Sequence, residues 1–300
     1  MPIYRSLMGV SRGVAATGIR AIFGYGYAEA NSSLTNKVSN TGVVSTDTAG
    51  VGTARNALAA ASYGTDKAIF GYGSAGAFVS ITNKVSNAGV VSTDTTGVGT
   101  AKTTLAAAKY GTDKAIFGYG YVAANSSLTN KVSNTGVVST DTAGVGTARR
   151  ELAASGYGTD KAIFGYGYVA ANSSLTNKVS NAGVVSTNTT GVGTVRSALA
   201  AASYGTDKAI FGYGRTTPNV SMTNKVSNTG VVSTDTAGVG TDRRELAGAS
   251  YGTDEAIFGY GTTGTNVFMT NKISNTGVVS ADTTGVGTAR RGLAASSYGS

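Results

Sequence analysis

The string AIFGYG starts at Ala21, Ala68, Ala115, Ala162, Ala209 and Ala256, and every interval between starts is 47 residues. No insertion or deletion interrupts the series. A fixed period of this length marks a repeat architecture, in which one supersecondary unit is copied and neighbouring copies bury each other's faces. The third and fourth copies are nearly identical, both reading AIFGYGYVAANSSLTNKVSN, from Ala115 and Ala162. The 44 glycines in 300 residues therefore belong to one unit multiplied six times, not to a flexible linker.

Each unit reads as four short β segments. In the second unit, segment A is LAAASYG (Leu58–Gly64) and leads through Thr65-Asp66 into segment B, KAIFGYG (Lys67–Gly73). A variable stretch precedes segment C, ITNKVSN (Ile81–Asn87). The turn Asn87-Ala88-Gly89, Asn-Thr-Gly in other units, then opens segment D, VVSTDT (Val90–Thr95). β-branched and aromatic residues dominate B, C and D, and the turn residues tolerate positive φ. Four strands in a unit of this size predict an all-β fold, a six-bladed β-propeller of four-stranded blades. Alanine-rich segment A suits the innermost position, where strands converge on an axis.

The unit resembles the kelch repeat. The resemblance rests on TAR..LAAASYGTDKAIFGYG followed by a loop and TNKVSNTGVVSTDT, and it covers Ile19 to Ser300. This chain carries Gly-Tyr-Gly (Gly71, Tyr72, Gly73) where kelch units carry a glycine pair, and it lacks their tryptophan. Near-identical kelch-like arrays of this composition are similar to proteins of tailed bacteriophages. That second resemblance implies a virion component, associated with tail, fibre or capsid, whose partners are other structural proteins.

Segment A-like sequence also ends the chain, as GLAASSYG (Gly292–Gly299), whereas the N-terminal counterpart GVAATG (Gly13–Gly18) is shorter. A ring of six blades has room for six A strands. Leu293–Tyr298 is therefore expected to complete the first blade, beside Arg20–Gly26. The predicted division is a propeller over 19–300 and an arm over 1–18. The arm is expected to dock onto a partner, or onto a neighbouring subunit in a homo-oligomer, through Tyr4, Arg5, Leu7, Met8 and Arg12.

Between units, two stretches vary. The loop after segment B reads YAEANSS, SAGAFVS, YVAANSS (twice), RTTPNVS and TTGTNVF; the second variable spot precedes segment A. Successive antiparallel strands put both on one face, while the near-invariant A–B and C–D turns lie on the other. Variable loops on a rigid scaffold are where binding usually resides. Candidate contacts on this face are Tyr27, Asn31, Phe78, Tyr121, Asn125, Tyr168, Asn172, Arg215, Asn219, Asn266 and Phe268. The loop tyrosines make a carbohydrate-binding face, for a surface glycan, the leading alternative to a purely structural role.

Other periodic positions read more plainly. Lys37, Lys84, Lys131, Lys178, Lys225 and Lys272 read as solvated strand residues or cross-strand partners, and Asp47, Asp94, Asp141, Asp235 and Asp282 as turn caps, with Asn188 breaking that series. A nucleic-acid or acidic-surface binder is a third reading with thin support, since a net charge of +9 is spread over the whole chain and no Lys/Arg run exceeds two. Tyr25, Tyr72, Tyr119, Tyr166, Tyr213 and Tyr260 read as packing between blades. Gly71–Gly76 matches G-x-G-x-x-G, as does Gly259–Gly264, but the other four copies lose the third glycine and no helix follows.

Composition removes whole classes of chemistry. With no cysteine, histidine or tryptophan, the chain has no disulfide, zinc–thiolate site, catalytic thiol or imidazole base. A Ser-His-Asp triad is excluded, and the scattered carboxylates show no glycosidase pairing. A non-enzymatic protein without cofactor or metal is expected. Met1 to Arg20 holds Arg5, Arg12 and Arg20 but no apolar run long enough for a signal peptide or membrane span. Outside a virion, a cytoplasmic location is expected.

Overall fold

In the computed structural model of the chain, residues 18–299 are described. They form six three-stranded antiparallel sheets and no helix. In the second unit the order is β3 (Ala59–Tyr63), β4 (Lys67–Gly71) and β5 (Thr82–Val85), with β4 central. Sheets β6–β8 (106–132), β9–β11 (153–179), β12–β14 (200–226) and β15–β17 (247–273) repeat that order. The first unit contains β1 (Arg20–Tyr27) and β2 (Asn31–Val38), and its third strand is β18 (Ala294–Tyr298). Arg20 pairs with Tyr298 and Gly24 with Ala294, so the last strand completes the first sheet.

Segment D departs from the four-strand expectation. In each unit its pairing with segment C is confined to isolated bridges rather than a ladder, Val38 with Val44 and Thr35 with Thr48 in the first unit. Between those bridges Ser45, Thr46 and Asp47 face Asn36 and Lys37, which is one residue too many for a continuous ladder. Side chains take over the pairing. The Lys37 amide donates to Ser45 Oγ at 2.9 Å, and Asn36 Nδ2 donates to Ser45 O and to Asp47 Oδ1. High β-propensity brought segment D to the sheet edge, but Ser and Asp compete for backbone groups and replace a regular strand.

The core lies between sheets rather than inside one. Tyr63, Ile69 and Tyr72 of the second unit bury against Leu105, Phe117 and Val132 of the third, and the arrangement recurs at every junction. The Gly-Tyr-Gly triplet is shaped by this packing. A side chain at Gly71 would strike the Phe117 ring at 2.8 Å. Tyr72 turns the chain at φ 63°, and Gly73 follows at φ 108°, where a Cβ would meet Asn56 O at 2.7 Å and Leu58 Cβ at 2.9 Å. The Tyr72 ring is thereby driven into the junction, fully buried, edge-on to Phe117 at 5.2 Å, with its hydroxyl donating to Val98 O.

A buried cation rivets each junction. Arg55 is fully buried; its guanidinium stacks 4.2 Å from the Tyr25 ring centroid of the first unit and donates to Tyr72 O and Asn83 Oδ1 of the second. Arg149, Arg196, Arg243 and Arg290 occupy the same place at other junctions, and Lys102 holds it at one. Farther out, Asp94 accepts from the amide and hydroxyl of Thr53 across the same junction. Burial alone would raise the Asp94 carboxyl, but bonds from Thr53 and Asn83 and the charge of Arg55 hold it below its ordinary value. The periodic lysines reach across as well: Lys37 Nζ donates to Ala88 O and Lys84 Nζ to Thr135 O.

The same bonds join the sixth unit to the first. Lys272 Nζ donates to Thr41 O, Thr288 to Asp47, and Arg290 to Tyr25 O. Along the alanine-rich strands, β3 lies beside β6 (Ala106–Tyr110), β6 beside β9 (Ala153–Tyr157), β9 beside β12 (Ala200–Tyr204), β12 beside β15 (Ala247–Tyr251), β15 beside β18, and β18 beside β3.

Candidate functional site

The two variable stretches meet physically. Asn56 bridges Ser74, Thr103 bridges Tyr121, Arg150 bridges Tyr168, Ser197 bridges Arg215, Arg244 bridges Thr262 and Arg291 bridges Tyr27. The residue opening each B–C loop is thus hydrogen-bonded to the connection that leads into segment A. All six variable pairs are held on one face by backbone bonds, for example Ser74 N to Asn56 O and Tyr121 N to Thr103 O.

On this face an aromatic and cationic row crosses three consecutive units. Phe78 is 39% exposed and meets the Tyr121 ring edge-on at 5.9 Å. The Arg150 guanidinium sits between two tyrosines, 5.1 Å from the Tyr121 centroid and 4.8 Å from that of Tyr168. It also donates to Asn125 Oδ1 and lies 3.7 Å from Glu151 Oε1. Cation–π stacking of this kind holds a long side chain in one orientation and leaves the outer ring surfaces for a ligand. A smaller counterpart sits at the first unit, where Arg291 stacks 5.2 Å over Tyr27 and pairs with Glu245 at 3.4 Å.

The predicted asparagines do a different job. Asn125 Nδ2 donates to Tyr168 O and Val169 O of the next loop, Asn172 to Arg215 O, Asn266 to Tyr27 O and Ala28 O, Asn31 to Ser74 O, and Asn219 to Thr262 O. Five of the six loops are therefore tied to the next by a carboxamide. Phe78 stands at the corresponding position of the second unit, which exchanges that tie for a ring contact. Arg215 opens the fifth loop and is exposed; Phe268, in the sixth, is 38% exposed. Neither joins the row. The arm candidates Tyr4, Arg5, Leu7, Met8 and Arg12 lie outside the described residues.

Sequence reasoning missed Arg150 as a site residue, although it marked the position as variable. The available signal was its place directly before segment A, in register with the loop tyrosines once the strands pair antiparallel. Among the described residues no three His, Cys, Asp or Glu side chains gather as a metal site, and no helix is long and apolar enough to cross a membrane. No known family model matches the chain, and no curated protein matches it.

Proposed function

We propose that the chain is a closed six-bladed β-propeller of kelch-like units, a non-enzymatic interaction protein that works within a larger assembly and binds through its B–C loop face. Closure is supported by the interactions joining the sixth unit to the first, which repeat those of the other junctions. The bridged segment D serves as an irregular fourth strand. The observation that carries the binding role is the convergence of both variable stretches on one face, fixed there by backbone bonds. A virion is the setting suggested by the resemblance in composition, and the arm over 1–18 is the proposed anchor. The test is fractionation of particles carrying the full chain or a form lacking residues 1–18. The full chain should co-sediment with the particle and the truncated form remain in the supernatant. Equal sedimentation of both removes the arm from the proposal.

The Phe78–Tyr121–Arg150–Tyr168 row favours a second reading, a lectin. Sugar rings stack on aromatic faces, and an arginine held between two rings supplies directed donors to hydroxyl or acidic groups. A glycan array probed with the wild type, Tyr121→Ala and Tyr168→Ala separates the readings. Binding abolished by both substitutions establishes the lectin; a blank array with a particle-bound protein favours the structural role.

A further inference from the structure

A second site, unrelated to the loop face, lies where the alanine-rich strands converge. Strands β3, β6, β9, β12, β15 and β18 line a cavity of about 250 Å³ with small side chains. Each pairs with a sheet neighbour on one side only, so its other edge turns backbone N–H and C=O groups toward this space. The position that varies most along these strands reads Ser62, Lys109, Gly156, Ser203, Ser250 and Ser297. The serines form a relay. Ser297 Oγ donates to Ser250 O, Ser250 Oγ to Ser203 O, and Ser203 Oγ to Gly156 O. The relay stops at Gly156, which has no hydroxyl, and next to it the third unit places a lysine.

Lys109 is the feature that needs explaining. It lines the cavity half-buried, and its ammonium has no hydrogen bond or ion pair among the described residues. The nearby Asp113 is already committed to Lys114 at 3.1 Å. Among the described residues the other buried cations each donate to carbonyl or carboxamide acceptors, as Lys102 does to Asn130 and Arg149 does to Tyr166 O. Burial pulls the Lys109 amine below its ordinary value, opposed by the charge of Asp113. Asp254 and Lys161 also contribute to the lining, and Lys161 is paired with Asp160. The relay hydroxyls are spent on carbonyls, so an unpaired ammonium beside strand-edge amides is the donor set offered to a small oxyanion.

We propose that this cavity binds a small oxyanion through Lys109, assisted by strand-edge amides. The bound group can be a phosphate, a sulfate or the carboxylate of a small organic acid. The cavity is lined by the alanine-rich strands and the turns that follow them, apart from the variable face, so occupancy here is independent of what the loops bind.

The experiment is isothermal titration of the full chain with inorganic phosphate, sulfate and acetate, run in parallel on Lys109→Ser and Lys109→Arg. Serine already stands at this position in four other units, so the first variant keeps the fold, which circular dichroism checks. Wild-type protein should bind at one site per chain. Lys109→Ser should weaken binding at least about tenfold, and Lys109→Arg should retain it. Preference among the three anions identifies the source chemistry: phosphate and sulfate over acetate for a tetrahedral oxyanion, the reverse for a carboxylate. Equal binding by Lys109→Ser and wild type, or no saturable heat with any anion, overturns the proposal. Loss of glycan or particle binding leaves it untouched.

Discussion

Lys102→Arg should make the protein more stable, because it restores at one junction what five others possess. Lys102 Nζ donates to Asn130 Oδ1 at 2.6 Å and more weakly to Leu128 O at 3.4 Å. Arg243, at the equivalent place, donates to Tyr260 O, Thr241 O and Asn271 Oδ1 and stacks 4.3 Å from the Tyr213 centroid. The lysine therefore forgoes bonds to the carbonyls of Tyr119 and Thr100. Bonds from a charged donor are each worth roughly 1.5–3 kcal/mol. Allowing for the larger side chain to be ordered, the net gain should be about 2–3 kcal/mol. With an unfolding entropy of about 2 cal/mol/K per residue, that is a rise of about 3–5 °C in melting temperature. Calorimetry at neutral pH measures it. The pH dependence supplies a second check. Burial lowers the Lys102 amine to about 8, against 10.5 for the free group, with Asp141 opposing the shift. Between pH 8 and 10.5 the unfolded chain binds more protons at this site than the folded one, so wild-type stability rises with pH there. Arginine stays charged throughout. The variant's advantage should thus be largest near pH 7 and shrink as pH climbs through that window. An unchanged melting temperature, or an advantage that grows with pH, would refute the account of the buried cations.

Asn188→Asp should stabilise by about 1 kcal/mol, since Arg149 lacks the carboxylate neighbour of Arg196 and Arg243 and its Nη2 is buried without a partner, as is Asn177 Oδ1; urea denaturation checks it, and no change would show that the carboxylate contributes nothing. Arg243→Ala should cost about 3–5 kcal/mol, because it strands Asn271 Oδ1 and the Tyr260 carbonyl in a dry junction and opens a cavity beside Tyr213. A loss under 1 kcal/mol in the same assay would contradict this. Alkaline titration should unfold the protein from pH 10 upward. Burial pushes the Tyr25, Tyr166, Tyr213 and Tyr260 hydroxyls up to about 12, with the neighbouring arginines opposing. The folded state therefore keeps protons that the unfolded chain releases, and each of these tyrosines withdraws about 1.4 kcal/mol per pH unit from 10 to 12. Absorbance of tyrosinate against circular dichroism follows it; ionisation at pH 10 without loss of structure would be the contrary result.

Period and pairing were legible in the amino-acid sequence because they rest on spacing. The unit length, the A–B–C order and the pairing of Ala294–Tyr298 with Arg20–Gly24 all follow from where AIFGYG and LAAASYG recur. Segment D was not, because VVSTDT has the composition of a strand while Ser45 and Asp47 take the hydrogen bonds that a strand would use. The arginine rivets escaped notice for a related reason. Arg55 and its counterparts recur with the same period, but a charge after Gly-Val-Gly-Thr-Ala reads as solvated loop, and only packing against Tyr25 buries it. On the loop face, spacing located the variable stretches. It could not separate Tyr121 and Tyr168, which flank Arg150, from the asparagines that tie the loops together.

The pairing of β18 with β1 also sets an order of events. Sheets two to six are each complete within one continuous stretch of chain, so they can form as that stretch is made. The first sheet cannot: β1 and β2 emerge first and must wait, with one edge open, until every other unit exists. During that wait the open edge of β1 faces five strands nearly identical to its proper partner, any of which could pair with it in error. Contacts between the two ends of a chain are the slowest to form. Folding speed, and the tendency to exchange strands between copies, should therefore be governed by this one strand pair, however alike the six units are.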